Sequence, residues 1–176
     1  EYERMFYALK AALLENPNNN EALKRIWICV ELSKKFKESI ALHERILDED
    51  PYSYLAWYNL GAAQAYYGQY EDAIEAYEYA FLINENFELA YKDCAEICFE
   101  IQNYHKALRC YQEVLEHFEP DYYLFQRIGQ CYQNLQSYAI AKTFFEKAAQ
   151  LDPFNDEVFF HLGECYYKEE NWAKAI

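Results

Sequence analysis

Residues 54–87 read YLAWYNLGAAQAYYGQYEDAIEAYEYAFLINENF, and the spacing of their apolar side chains is that of two consecutive helices. Trp57, Leu60, Gly61 and Gln64 fall at i, i+3, i+4 and i+7, one face of an α-helix. Ala73, Tyr77, Ala80 and Phe81 fall at i, i+4, i+7 and i+8 and make a second stripe. Only Gln64 interrupts the apolar character of the two stripes. Breaks are expected at Tyr67-Gly68-Gln69 and at Asn84-Glu85-Asn86. The stretch therefore encodes two helices of about 14 residues, each roughly 21 Å long at a rise of 1.5 Å per residue. Glu71 and Asp72 open the second helix, where the positive end of the helix dipole favours carboxylates.

The same pattern recurs every 34 residues along the chain. Tyr2, Phe36, Tyr70, Tyr104, Tyr138 and Trp172 form an aromatic column, and Met5, Ser39, Ala73, Ala107, Ala141 and Ala175 a mostly small one three places on. Leu23, Trp57, Tyr91, Phe125 and Phe159 are uniformly large. Ile26, Leu60, Cys94, Ile128 and Leu162 follow, then Trp27, Gly61, Ala95, Gly129 and Gly163. The alternation has a mechanical sense: a small residue lets a partner helix approach, and a large one such as Tyr77 or Phe145 fills the groove. A single hairpin cannot bury its own stripe, so neighbouring hairpins must stack. Pro17, Pro51 and Pro153 close repeats because proline lacks the amide that would continue a helix.

Trp57-x2-Leu60-Gly61 followed by Ala73-x3-Tyr77-x2-Ala80 resembles the tetratricopeptide signature. Phe125-x2-Ile128-Gly129-x2-Tyr132 with Ala141-x3-Phe145-x2-Ala148 and Pro153 matches that signature more fully. The resemblance implies an all-α fold, a superhelix of antiparallel helix hairpins, forming a single array over 1–176. Within it 1–19 is a second helix, 20–53, 54–87, 88–121 and 122–155 are full repeats, and 156–176 is a first helix with the start of another. Repeat 20–53 departs from the pattern: Trp27 stands at the small position, Ser39 replaces Ala, and His43 replaces the large aromatic. Repeat 88–121 has Ala95 for Gly, with Pro120 shifted by one. These two repeats are expected to pack less regularly.

Thirty acidic residues against sixteen basic ones give a formal charge of −14. That balance argues against nucleic acid, which demands clustered Lys and Arg, and against anionic membranes. It favours protein partners with basic segments. No apolar run approaches the ~20 residues of a membrane span. The six cysteines, at 29, 94, 98, 110, 131 and 165, sit inside apolar helical patterns and are expected in the core of a protein from a reducing, cytoplasmic compartment. Cys94 and Cys98 share a helical face but occupy core positions, and the four histidines (43, 105, 117, 161) share no ligand spacing. Glu71-Asp72 and Glu169-Glu170 are helix-start or loop acids. Nothing assembles a nucleophile, base and oxyanion donors, so neither an enzyme nor a cofactor is expected.

By resemblance, the first helix of each hairpin lines a concave groove, and its second, fifth, ninth, twelfth and thirteenth positions face inward. The peptide-binding candidates are Lys24, Tyr58, Tyr66, Lys92, Glu96, Tyr123, Gln126, Gln130, Asn134, Phe160 and Glu164. Rigid tyrosines bind at low entropic cost, and the Gln126, Gln130, Gln133 and Asn134 amides suit the backbone of an extended peptide. The carboxylate clamp found in some members, which grips chaperone tails, is not expected. Lys24 and Asn59 fit two of its slots, but Ile28, Leu89 and Asp93 stand in the others, and an acid there repels a carboxylate. The expected function is a non-catalytic scaffold for protein segments. The alternative is the regulatory region of a larger enzyme. Ends without polar caps are expected to continue into a longer array or to self-associate.

Overall fold

The computed structural model describes residues 1–169. Among them are ten α-helices and no strand: α1 (Tyr2–Glu15), α2 (Asn20–Ser33), α3 (Phe36–Glu49), α4 (Tyr54–Tyr67), α5 (Tyr70–Ile83), α6 (Glu88–Glu100), α7 (Tyr104–His117), α8 (Tyr122–Asn134), α9 (Tyr138–Leu151) and α10 (Asp156–Lys168). The breaks fall where the 34-residue pattern places them. Trp172, Ala175, Glu170 and the start of the last repeat's second helix lie outside the described residues.

Local chemistry explains the boundaries. First helices α2, α4, α8 and α10 each begin behind a side chain that caps a free amide: Asn19 to Ala22, Ser53 to Ala56, Asp121 to Leu124 and Asn155 to Val158. Each turn from a first to a second helix passes through one left-handed residue, Lys34 (φ 58), Gly68 (φ 88), Gln102 (φ 62) or Gln136 (φ 59). Glycine takes that conformation without steric cost, and it occupies only one of the four turns. Four of the turns back to a first helix use a side chain instead. Asn16, Asp50, Asn84 and Asp152 each accept, at Oδ1, the backbone N–H two residues on.

The helices group into two compact bodies, 1–97 and the described residues from 98 onward. In the first, α1 packs on α2, α3 on α4, and α4 on α5. Phe6, Leu13, Leu23, Ile26, Val30, Leu42, Ile46 and Leu60 form its buried centre. Gly61 is the notch for Tyr77: a Cβ on it would lie 2.9 Å from Tyr77 Cδ1 and 3.0 Å from the Ala73 carbonyl oxygen. In repeat 20–53 the sizes are exchanged, Trp27 for glycine and His43 for the aromatic. There α2 and α3 meet far more sparsely than α4 and α5 do, as a bulky residue at the contact position requires.

His43 is fully buried. Its Nδ1 lies 2.8 Å from the Ser39 carbonyl oxygen, which can only accept, so Nδ1 carries the proton. Nε2 is left without a partner, and burial pushes the imidazole down to about 4. The hairpin is thus held by a neutral histidine where its sister repeats use a ring of tyrosine or phenylalanine.

In the second body α8 packs on α9 as α4 does on α5, and α9 packs on α10. Gly129 admits Phe145 so closely that a Cβ would sit 2.7 Å from Phe145 Cε1. Ala141, Phe145, Ala148, Val158, Leu162 and Cys165 form the buried cluster beside it. All six cysteines are buried core residues outside any disulfide.

Candidate functional site

In the first body the candidate residues lie on α2, α4 and α6. The α2 positions are open: Glu21, Lys24, Ile28 and Leu32 are exposed, with Lys24 Nζ 3.7 Å from Glu21 Oε1. On α4 the stripe divides. Leu55 and Ala62 are buried, Tyr58 is half-buried and Tyr66 exposed. Tyr58 donates its hydroxyl to Asp93 Oδ2 at 2.7 Å, across 35 residues of chain. Burial and the adjoining carboxylate push the Tyr58 hydroxyl far above its ordinary range. Burial likewise raises the carboxyl of Asp93, against the lowering effect of the hydrogen bond from Tyr58.

Tyr66 lies edge-on to Trp27 and stacked on Phe36, both at 5.4 Å, and donates its hydroxyl to Glu31 Oε1 at 3.0 Å. Lys92 sits 2.7 Å from Glu88, and Glu96 is half-buried. Asn59, which matched a clamp slot in the sequence, is buried and donates Nδ2 to the Leu23 carbonyl oxygen at 2.8 Å. It ties α4 to α2.

In the second body the candidates lie on α8 and α10, and the amides of Gln130, Gln133 and Asn134 are already engaged. Gln130 is buried; its Nε2 donates to Glu157 Oε1 at 3.2 Å and to His161 Nε2 at 3.0 Å, while its Oε1 accepts from Arg127 Nη1 at 3.1 Å. Gln133 Nε2 donates to Glu164 Oε2 at 2.8 Å, and Asn134 Nδ2 to the Gln130 carbonyl oxygen at 2.8 Å. Gln126 is buried. These groups form a polar ladder from α8 to α10.

Its hub is Arg127, which no repeat column singled out. The guanidinium carbon lies 3.7 Å from the centre of Phe99 and 5.8 Å from that of Tyr123. Its Nε donates to the Tyr111 hydroxyl at 3.4 Å. Such a cation between rings combines charge, stacking and donor geometry that lysine cannot supply.

Tyr123, Asn134, Phe160, Glu164 and Tyr167 stay exposed beside the ladder. Phe159, Phe160, Gly163, Glu164, Tyr167 and Lys168 line a surface cavity of about 440 Å³. Phe160 meets His161 edge-on at 5.6 Å, and His161 stacks on Phe145 at 5.2 Å.

Among the described residues no group of three or more His, Cys, Asp or Glu side chains could hold a metal, and no helix is long and apolar enough to cross a membrane. Burial pushes the Cys165 thiol up to about 11, helped by Glu164 and Glu169, and raises that of Cys29. Both thiols are therefore protonated, and poor nucleophiles, at neutral pH.

A tetratricopeptide-repeat model matches residues 122–155. No curated protein matches by sequence. Among solved structures, the chain is similar to YrrB, described as a TPR protein with an unusual peptide-binding site, at 20% identity and a TM-score of 0.81 over 96% of this chain and 87% of that one. It is similar to MamA at 19% identity and a TM-score of 0.78, over 85% and 88% of the two chains. A tetratricopeptide repeat protein from Parabacteroides merdae ATCC 43184 aligns at 17% identity and a TM-score of 0.71, over 97% of this chain and 68% of that one. Helix order, glycine notches and these likenesses agree on a solenoid of helix hairpins, with a tetratricopeptide repeat at residues 122–155.

Proposed function

We propose that this protein is a non-catalytic scaffold that holds segments of partner proteins against its first helices. The observation that carries the reading is the distribution of exposed apolar side chains. Ile28, Leu32, Tyr66, Leu89, Tyr123, Phe160 and Tyr167 all stand open to solvent at first-helix positions that face the groove in this family. Each body thus leaves large apolar side chains open to solvent on its first helices, and exposed apolar patches mark binding surfaces. The resemblance to YrrB, a protein described by its peptide-binding site, points the same way. Because the amides of Gln126 and Gln130 are turned to the interior, the recognition we assign is chiefly aromatic and aliphatic, with Lys24, Asn134 and Glu164 at the rim. The net charge of −14 favours segments that carry Lys or Arg.

A random-peptide display library selected against the immobilised protein tests this. Selected peptides are expected to be rich in basic and apolar residues. They should lose roughly tenfold or more in affinity on Tyr123→Ala or Phe160→Ala, both variants remaining folded at the assay temperature. Peptides that bind both variants like the parent would move the binding surface elsewhere.

A further inference from the structure

Four turns that lead from a second helix into the next first helix are built alike. Asn16, Asp50, Asn84 and Asp152 bond back to the amides of Asn18, Tyr52, Asn86 and Phe154 at 3.2, 3.1, 3.2 and 3.3 Å. The tip residue is asparagine twice and an aromatic ring twice, and the residue before it is proline in three turns and Glu85 in the fourth. Asn18 and Asn86 demonstrate that the turn closes without a ring, so Tyr52 and Phe154 are not there to make it. Nor do they serve the core, since Tyr52 is 79% exposed and Phe154 91%.

Single exposed apolar side chains are ordinary on protein surfaces. These two stand on rigid supports. Proline precedes each, and a second bond closes each turn, from Ser53 N to Asp50 O at 3.3 Å and from Asn155 N to Asp152 O at 3.4 Å. The Trp57 indole also donates to the Pro51 carbonyl oxygen at 2.9 Å. A ring presented on a fixed backbone loses little entropy when a pocket closes on it.

The charge around the rings says what kind of pocket. Within five residues of Tyr52 stand Asp48, Glu49 and Asp50 and no base; within five of Phe154 stand Asp152, Asp156 and Glu157 and no base. That acidic setting opposes an anionic lipid surface and suits a pocket rimmed by Lys or Arg.

We propose that Tyr52 and Phe154 are anchors, each inserting its ring into an apolar, basic-rimmed pocket on a partner protein. The anchors lie on turns, apart from the first-helix face, and do not depend on peptide binding there.

Tyr52→Asn and Phe154→Asn install the residue that the sister turns already carry, so both variants keep the parental thermal midpoint. The first probe is β-cyclodextrin bearing a ring of ammonium groups, an apolar cup with a basic rim, compared by NMR titration with neutral β-cyclodextrin. The parent binds the cationic host several-fold more tightly, with shifts confined to Tyr52, Phe154 and their turns, and the double variant loses this binding. Equal affinity for the two hosts, or unchanged binding by the variant, overturns the proposal. The second probe is p-benzoylphenylalanine placed in turn at 18, 52, 86 and 154 of the full-length protein in its own cells. Photo-adducts to a protein at 52 or 154, and none at 18 and 86, support the anchors. Adducts at all four positions, at none, or to lipid overturn them.

Discussion

Gly129 has no room for a side chain, and the residue that fills its notch cannot retreat. Phe145 is fully buried and stacked on His161, so Gly129→Leu must separate α8 from α9. The expected loss is about 1–3 kcal/mol or more, read as a lower urea midpoint; a parental midpoint would mean the notch is looser than its distances. His43 makes the opposite kind of residue-scale case. Folding holds its pKa at about 4, against 6.5 for the free side chain. Its contribution is therefore complete above 6.5 and falls with pH, because the unfolded chain takes up the proton first; below 4 it falls no further. Between pH 7 and pH 5 this amounts to about 2 kcal/mol. Urea unfolding of His43→Leu at the two pH values is expected to show that much less pH dependence than the parent. Both residues were visible in the sequence as columns of bulk. What no column could show was that the imidazole is neutral, because that follows from its burial and from the Ser39 carbonyl.

At the scale of the element, the helices were legible almost to their ends, since the apolar period marks them and Pro17, Pro51 and Pro153 stand just past the ends of α1, α3 and α9. The turns were only half legible. Gly68 announces a left-handed residue, but Lys34, Gln102 and Gln136 adopt the same conformation with no mark in the sequence. Each carries a Cβ strain that glycine avoids, offset in part by glycine's greater freedom when unfolded. Gln136→Gly is accordingly expected to stabilise the protein by about 0.5–1 kcal/mol, seen as a higher thermal midpoint, and Gly68→Ala to do the reverse. A midpoint unmoved by both would show that the turns relax around the side chain. The candidate site divides the same way. Tyr66 and Phe160 were readable as exposed from their repeat positions. Gln130 was not, because its partners Glu157 and His161 lie on the next first helix and meet it only through stacking. The bond from Tyr58 to Asp93 was hidden for the same reason. Asn59, a clamp match in sequence, turned out to bind a backbone carbonyl.

Across the whole molecule, one rule of bulk, repeated, produces nearly all the structure, and its exceptions fall where the packing changes. Trp27 stands where the rule asks for glycine, and α2 and α3 part there. The rule also decides how evolution is free to alter the length of the chain. Tyr77 follows Gly61, and Phe145 follows Gly129, by 16 residues in both cases (77 − 61 and 145 − 129). An inserted or deleted residue in the intervening turn would swing the second helix by about 100° and carry the ring away from its notch. Loops that join one hairpin to the next are bound in the same way, because α3 packs on α4 and α9 on α10, so changes of length among descendants of this protein should come as whole 34-residue units, which return every ring to its notch.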